Sequence, residues 1–237
     1  QAHCEDLVGR FVTEWHRRTG KTEPIPVCLA GGLFANVRIN QVVAELPCVD
    51  GIFVFPHMGD GGLTVGAACN LQFQLSGRSK IELPTVLLGP EYDDEAIGIA
   101  IEAYADHVEA TRCDNVVDAT VADLCANRVV GFFQGRMEFG PRALGARSIL
   151  HHCRDRDANT WLNERLHRTE FMPFAPVTPI AFAEECYVGW TPADRCSRFM
   201  TKTFDCTAVF TERHPAVVHI DGTARPQIVS PEANGIY

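Results

Sequence analysis

At 237 residues, with 46% hydrophobic and 22% charged residues, the chain has ordinary globular composition and length for one large domain or two small ones. A formal net charge of −9 argues against a broad nucleic-acid-binding surface, though not against a local basic pocket. No apolar run approaches the roughly 18–20 residues that span a bilayer, and the opening QAHCEDLVGR lacks the basic-then-apolar layout of a signal peptide.

The elements follow in chain order. Leu7, Val8, Phe11, Val12 and Trp15 recur at helical spacing, and Gly20 after the basic HRR marks the helix end. IPVCLA predicts a short strand running into Gly31-Gly32, with a helix over Leu33–Glu45. GIFVFP is a second buried strand, HMGDGG a turn and LTVGAACNLQFQL a second helix. Strand, glycine turn and helix, repeated once, is the layout of an α/β layer whose ligand edge lies at the strand C-termini, where both glycine turns fall.

Periodicity then fades through SGRSKIELPTVLLGPEYDDE, a linker candidate at 75–95. Beyond it, Ala96–Val108 and Val117–Ala126 read as helices, RVVGFFQG as a strand, Asp157–Leu166 as a helix, FAPVTPIAF as extended and AVVHID as a strand before the turn DGTARP. The chain opens inside a helical pattern and closes on PEANGIY without an obvious terminal element, so it is expected to be a piece of a longer protein. Ten scattered cysteines form no Cys-x-x-Cys pair, which predicts buried reduced thiols and a cytoplasmic protein, with structural zinc the lesser reading.

The densest chemistry lies in GRMEFGPRALGARS, Gly135–Ser148, where three arginines stand among three glycines and a proline. From Gln134 to Arg168 there are seven arginines, no lysine and four acids, a local charge of +3 in an acidic chain. Guanidinium suits planar, multidentate capture of phosphate or carboxylate, and glycine lets the backbone approach an anion closely. Arg136, Arg142 and Arg147 are thus the candidates for an oxyanion pocket, with Ser148 adding a hydroxyl, whereas Arg154, Arg156 and Arg165 read as solvated or paired with neighbouring acids.

Gly31-Gly32, with Asn36 one turn on, could cradle a nucleotide phosphate. Asp60 lies between glycines at a strand end, where the pattern alone favours capping of the next helix over ligand binding. His57 nearby does not complete a metal site. HIDGTARPQ places His219, Asp221, Thr223 and Arg225 around Gly222, equally a capped turn or a site.

Taken in order, CLAGGLFANVRIN, GDGGLTVGAA, LGPEYDDEAI, GFFQGRMEFGPRALGARSIL, LNERLHRTEFMPFAPV and HIDGTARPQIVS resemble the ATP-dependent O-carbamoyltransferases of nodulation-factor and antibiotic biosynthesis, from about Val27 to Ser230. The resemblance implies an α/β protein: the second lobe of an actin-like ATPase module (1–74), a linker (75–95), then an incomplete carbamoyl-adenylate-forming module (96–237). It implies that carbamoyl phosphate and ATP give carbamoyl adenylate, whose carbamoyl group passes to a hydroxyl of a sugar, nodulation factor or antibiotic.

Carried over residue by residue, Gly31, Gly32 and Asn36 fall on the nucleotide turn and Asp60 on the ligand of a divalent metal, iron or magnesium, which overturns the capping preference. The remaining histidine ligands are expected in an N-terminal half absent here, so the piece alone is expected not to complete the transfer, with the adenylate-forming partial reaction left open. Arg136, Arg142, Arg147 and Ser148 fall on the adenylate-forming pocket, with Arg168 and Arg225 as further candidates. The roles of His57, where relatives often carry a small residue, and of His219 stay open. No nucleic acid or membrane partner is expected, and a homodimer is among the open oligomeric states. The alternative is a nucleic-acid-binding module related to tRNA threonylcarbamoyl modification.

Overall fold

The computed structural model describes residues 1–79, 82–167 and 173–237. In chain order the elements are α1 (Ala2–Thr19), β1 (Ile25–Leu29), α2 (Val37–Ala44), β2 (Val49–Val54), α3 (Leu63–Ser76), α4 (Asp94–Ala103), α5 (Val116–Cys125), β3 (Val130–Phe133) and β4 (Arg147–Leu150). There follow α6 (Ala158–Arg165), β5 (Val177–Pro179), α7 (Ala183–Cys186), β6 (Phe204–Asp205), α8 (Ala208–Arg213), β7 (Thr223–Ala224) and β8 (Gln227–Val229). The α/β class read from the sequence holds. The chain divides into two units, one of residues 1–83 with 153–233, the other of residues 84–152 with 234–237.

In the first unit, α1 ends as its sequence predicts, on Gly20 in the left-handed conformation (φ 69°) after His16, Arg17 and Arg18. β1 and β2 pair in parallel from Ile25↔Val49 to Leu29↔Val54, with α2 in the crossover. Leu29, Ile39, Val43, Ile52, Val54 and Met58 form the core between strands and helix. Asn40, wholly buried, ties α2 to chain 161 residues away by donating to the Phe34 carbonyl (2.8 Å) and the Thr201 carbonyl (2.7 Å). The Thr203 hydroxyl likewise donates to Gln41 Oε1 (2.7 Å). Such buried polar bonds fix register, because losing one partner strands a desolvated group. A second cluster packs Tyr187, Trp190, Phe204, Phe210 and Val217. Burial pushes the Tyr187 phenol well up.

In the second unit, β3 and β4 are an antiparallel hairpin from Val130↔Leu150 to Phe133↔Arg147. Residues 86–90 run beside its loop: the Phe139 N–H donates to the Val86 carbonyl (2.6 Å) and the Gly89 N–H to the Met137 carbonyl (2.9 Å). None of the residues of α4 and α5 is fully buried; the same holds for α3 of the first unit, where Leu63, Phe73 and Leu75 stand exposed. No helix among the described residues is long and apolar enough to cross a membrane.

Three local expectations fail. The helix expected over Leu33–Glu45 is broken at Asn36, whose side chain caps α2 after a 3-10 turn over Gly32–Ala35. AVVHID is not a strand: Pro215, lacking an N–H and fixed in φ, opens a short 3-10 turn over Pro215–Val217, and Val217 is apolar because it is buried with Tyr187. The ten cysteines are all free, but only Cys196 is buried; Cys4, Cys28, Cys113 and Cys125 are exposed. Cys28 faces outward on a strand with a single hydrogen-bonded neighbour, and Cys125 lies on α5, so apolar flanking sequence overstated their burial.

Candidate functional site

Both glycine turns sit at the C-terminal ends of β1 and β2, where parallel strands present ligands. Gly31, at φ 111°, donates its N–H to the Met58 carbonyl (2.7 Å), which joins one turn to the other. The Asn36 side chain is the N-cap of α2, accepting from the Ile39 N–H (3.3 Å), and exchanges hydrogen bonds with the Gln1 amide.

Asp60 opens a 3-10 turn over Asp60–Gly62 and is exposed, and its carboxylate makes no capping bond. The turn closes through backbone instead, the Gly62 N–H donating to the Gly59 carbonyl (3.0 Å). Capping is thus not its role. The His57 ring lies over Gly61, where a Cβ would come within 2.1 Å of Nε2, and the His57 carbonyl lies 2.1 Å from a Cβ built on Gly62. That close approach is why GDGG needs two of its glycines. Among the described residues no three His, Cys, Asp or Glu side chains gather as a metal set, so Asp60 does not by itself fit a metal.

Residues 134–146 connect β3 to β4 and carry Arg136 and Arg142, and Arg147 opens β4. Arg136 is exposed and donates to the Leu88 carbonyl (3.2 Å), and Arg142 is half-buried. Arg147 turns inward. Its Nη1 donates to the carbonyls of Gln134 (2.8 Å) and Ala146 (2.9 Å), and its Nη2 to those of Gly135 (3.1 Å) and Pro90 (3.5 Å). Its guanidinium carbon stands 3.5 Å above the centre of the Phe133 ring. Ser148 is buried, and its hydroxyl accepts from the Gly145 N–H (2.9 Å).

Two residues that sequence reasoning passed over organise this loop. Glu138, only 8% exposed, accepts through one oxygen from the N–H groups of Leu144 (2.7 Å), Ala146 (2.8 Å) and Arg147 (3.1 Å). Tyr237 packs its ring on Gly145, which at φ 99° has room for it only without a Cβ, and stands 6.1 Å from the Phe132 ring. Burial pushes the Tyr237 phenol up to about 12 against the opposing Ser148 hydrogen bond. The one signal for Glu138 was its place as the single acid among three arginines.

Burial pushes the Glu138 carboxyl up, but backbone N–H bonds from Leu144, Ala146, Glu138 itself and Arg147 outweigh it, so its pKa lies below the usual 4.5. A depressed carboxylate stabilises the folded state above its unfolded pKa, and that contribution disappears as pH falls through the folded value. Glu138→Gln is therefore expected to flatten the acid limb of the stability curve below about pH 4.5. Thermal melting of both proteins across that limb checks this, and parallel limbs would contradict it.

Of the remaining candidates, Arg168 lies outside the described residues. Arg225 lines a small cavity with His219, Thr223, Thr203 and Phe174. Asp221 accepts from the Thr223 N–H (3.0 Å), the Thr223 hydroxyl (2.7 Å) and His219 Nδ1 (2.9 Å), and the Gly222 N–H closes the turn on the His219 carbonyl (2.9 Å). The capped turn is thus present, with His219 oriented by Asp221. Arg154, Arg156 and Arg165 are exposed, as the solvated reading expects.

The first unit thus presents a strand-terminal glycine edge, and the second an arginine-bearing hairpin. The family model described as Carbamoyltransferase N-terminus matches residues 2–69, and that described as Carbamoyltransferase C-terminus matches residues 121–237. The chain belongs to the carbamoyltransferase family. It is 34% identical to nodulation protein NolO of Bradyrhizobium diazoefficiens over 100% of this chain and 43% of that protein. With nodulation protein U of Rhizobium tropici the identity is 33% over 87% of this chain and 34% of the relative. With nodulation protein NolNO of Sinorhizobium fredii it is 34% over 88% and 31%. The chain thus spans less than half the length of these relatives. These matches do not favour the nucleic-acid-binding alternative.

Proposed function

We propose that this chain serves an O-carbamoyltransferase that joins carbamoyl phosphate and ATP through carbamoyl adenylate and delivers the carbamoyl group to a hydroxyl of a sugar, nodulation factor or antibiotic. The observation that carries the reading is the hairpin loop 134–146, rich in arginine and glycine, within a carbamoyltransferase-family chain. Carbamoyl phosphate and ATP repel one another, and fixed guanidinium groups offset that repulsion without exchanging protons. Arg136 and Arg142 take this role. The carbamoyl group becomes bonded to the α-phosphate of ATP, pyrophosphate and inorganic phosphate leave, and atom balance consumes one water.

Residues 1–74 serve as the second lobe of an actin-like module, whose edge at Gly31, Gly32 and Asn36 faces nucleotide. Asp60 is too isolated among the described residues for any step to be assigned to a metal. Exchange of labelled pyrophosphate into ATP tests the proposal. Exchange that depends on carbamoyl phosphate is expected, and a rate equal to the carbamoyl-phosphate-free control would overturn it.

A further inference from the structure

Arg136 and Arg147 differ in what they already hold. Guanidinium has five N–H donors, two on each Nη and one on Nε. In Arg147 both Nη groups make two hydrogen bonds each to backbone carbonyls, of Gln134, Ala146, Gly135 and Pro90, and one face of the plane lies against Phe133. The paired donors that would grip a phosphate are committed to the protein. Arg136, by contrast, is exposed and has one such bond, to Leu88.

Glu138 is the complement of Arg147. It collects backbone N–H groups from residues 144, 146 and 147, while Arg147 collects backbone carbonyls from residues 134, 135 and 146. A loop with three glycines has little intrinsic shape; residues 86–90 pair with its near side only as far as Phe139, and on its far side the N–H groups of Leu144, Ala146 and Arg147 turn to Glu138. The two side chains supply from within what a sheet would supply from beside it.

Resting on the reading of this loop as an anion site, we propose that Glu138 and Arg147 are paired positioning residues: they fold residues 134–147 into the shape that presents Arg136 and Arg142 to phosphate, and Arg147 is not itself a phosphate ligand. Ser148 belongs to the same lock, since its hydroxyl is engaged by the Gly145 N–H. The expected division of labour is two contacting arginines and one internal one.

The test combines calorimetric binding of inorganic pyrophosphate with hydrogen exchange at the amides of Leu144, Ala146 and Arg147. Arg142→Ala should weaken binding about tenfold and leave those exchange rates unchanged. Glu138→Ala should weaken binding about tenfold and accelerate exchange, since small displacements of contacting groups are costly. Glu138→Asp serves where the alanine variant fails to fold. Glu138→Gln keeps the single accepting oxygen and should recover affinity to within about threefold. Arg147→Lys keeps charge but loses the planar fork, so it should follow Glu138→Ala in both readouts.

Faster exchange with wild-type affinity in Glu138→Ala would make the lock merely structural and overturn the proposal. Lost affinity with unchanged exchange in Arg147→Lys would make Arg147 a ligand and overturn it as well. If the unmodified protein binds no pyrophosphate, or Arg142→Ala binds it normally, the anion reading itself fails, an outcome separable from the other two.

Discussion

Arg142→Ala is expected to reduce carbamoyl-phosphate-dependent pyrophosphate exchange by about 10²–10³-fold, the usual consequence of deleting one preorganised group that faces developing charge. Arg142 lies half-buried between Pro141 and Ala143, on a hairpin loop whose backbone Glu138 and Arg147 already hold. Partial burial strengthens its interaction with phosphate relative to an arginine in open water. Because other side chains fold the loop, its removal should leave the far-UV circular dichroism spectrum and the hairpin intact. Arg142→Lys should restore part of the rate, as a compact charge without the bidentate fork. Exchange that survives the alanine substitution would mean the loop is scaffold, with its charge serving another purpose.

Gly62→Ala is expected to destabilise the first unit by about 3 kcal/mol or more, at the upper end of overpacking effects. A Cβ at this position would stand 2.1 Å from the His57 carbonyl oxygen and 3.2 Å from the Phe55 ring. A carbonyl cannot rotate away as a side chain can, so the turn joining β2 to α3 must open, and Asp60 lies inside that turn. Gly59→Ala is the matched control: nothing lies within 4 Å of its Cβ and its φ of −85° suits alanine. It should cost no more than about 1 kcal/mol. Urea unfolding of both variants checks the contrast, and equal losses would contradict the described approach of His57 to the glycines.

What the chain says by itself is local, and it was legible. The helical spacing of Leu7 to Trp15 and the left-handed stop at Gly20, the strands before each glycine turn, and the strand ahead of the arginine loop all follow from periodicity, φ preference and charge within a few residues, whereas β4, which closes that loop into a hairpin, was not foreseen. Family membership was equally legible, because the order of motifs is written along the chain.

Tertiary structure alone decided how those pieces are used. Only folding brings Thr201 to Asn40 across 161 residues, so that residues 153–233 join 1–83 in one unit. Arg147 illustrates the same limit at the site. Its type and position suggested a ligand for phosphate, but the carbonyls it meets come from Pro90 and from Gln134, 57 and 13 residues back. A guanidinium binds whichever oxygens the fold delivers to it, protein or substrate, and that choice depends on three-dimensional neighbours rather than on spacing along the chain.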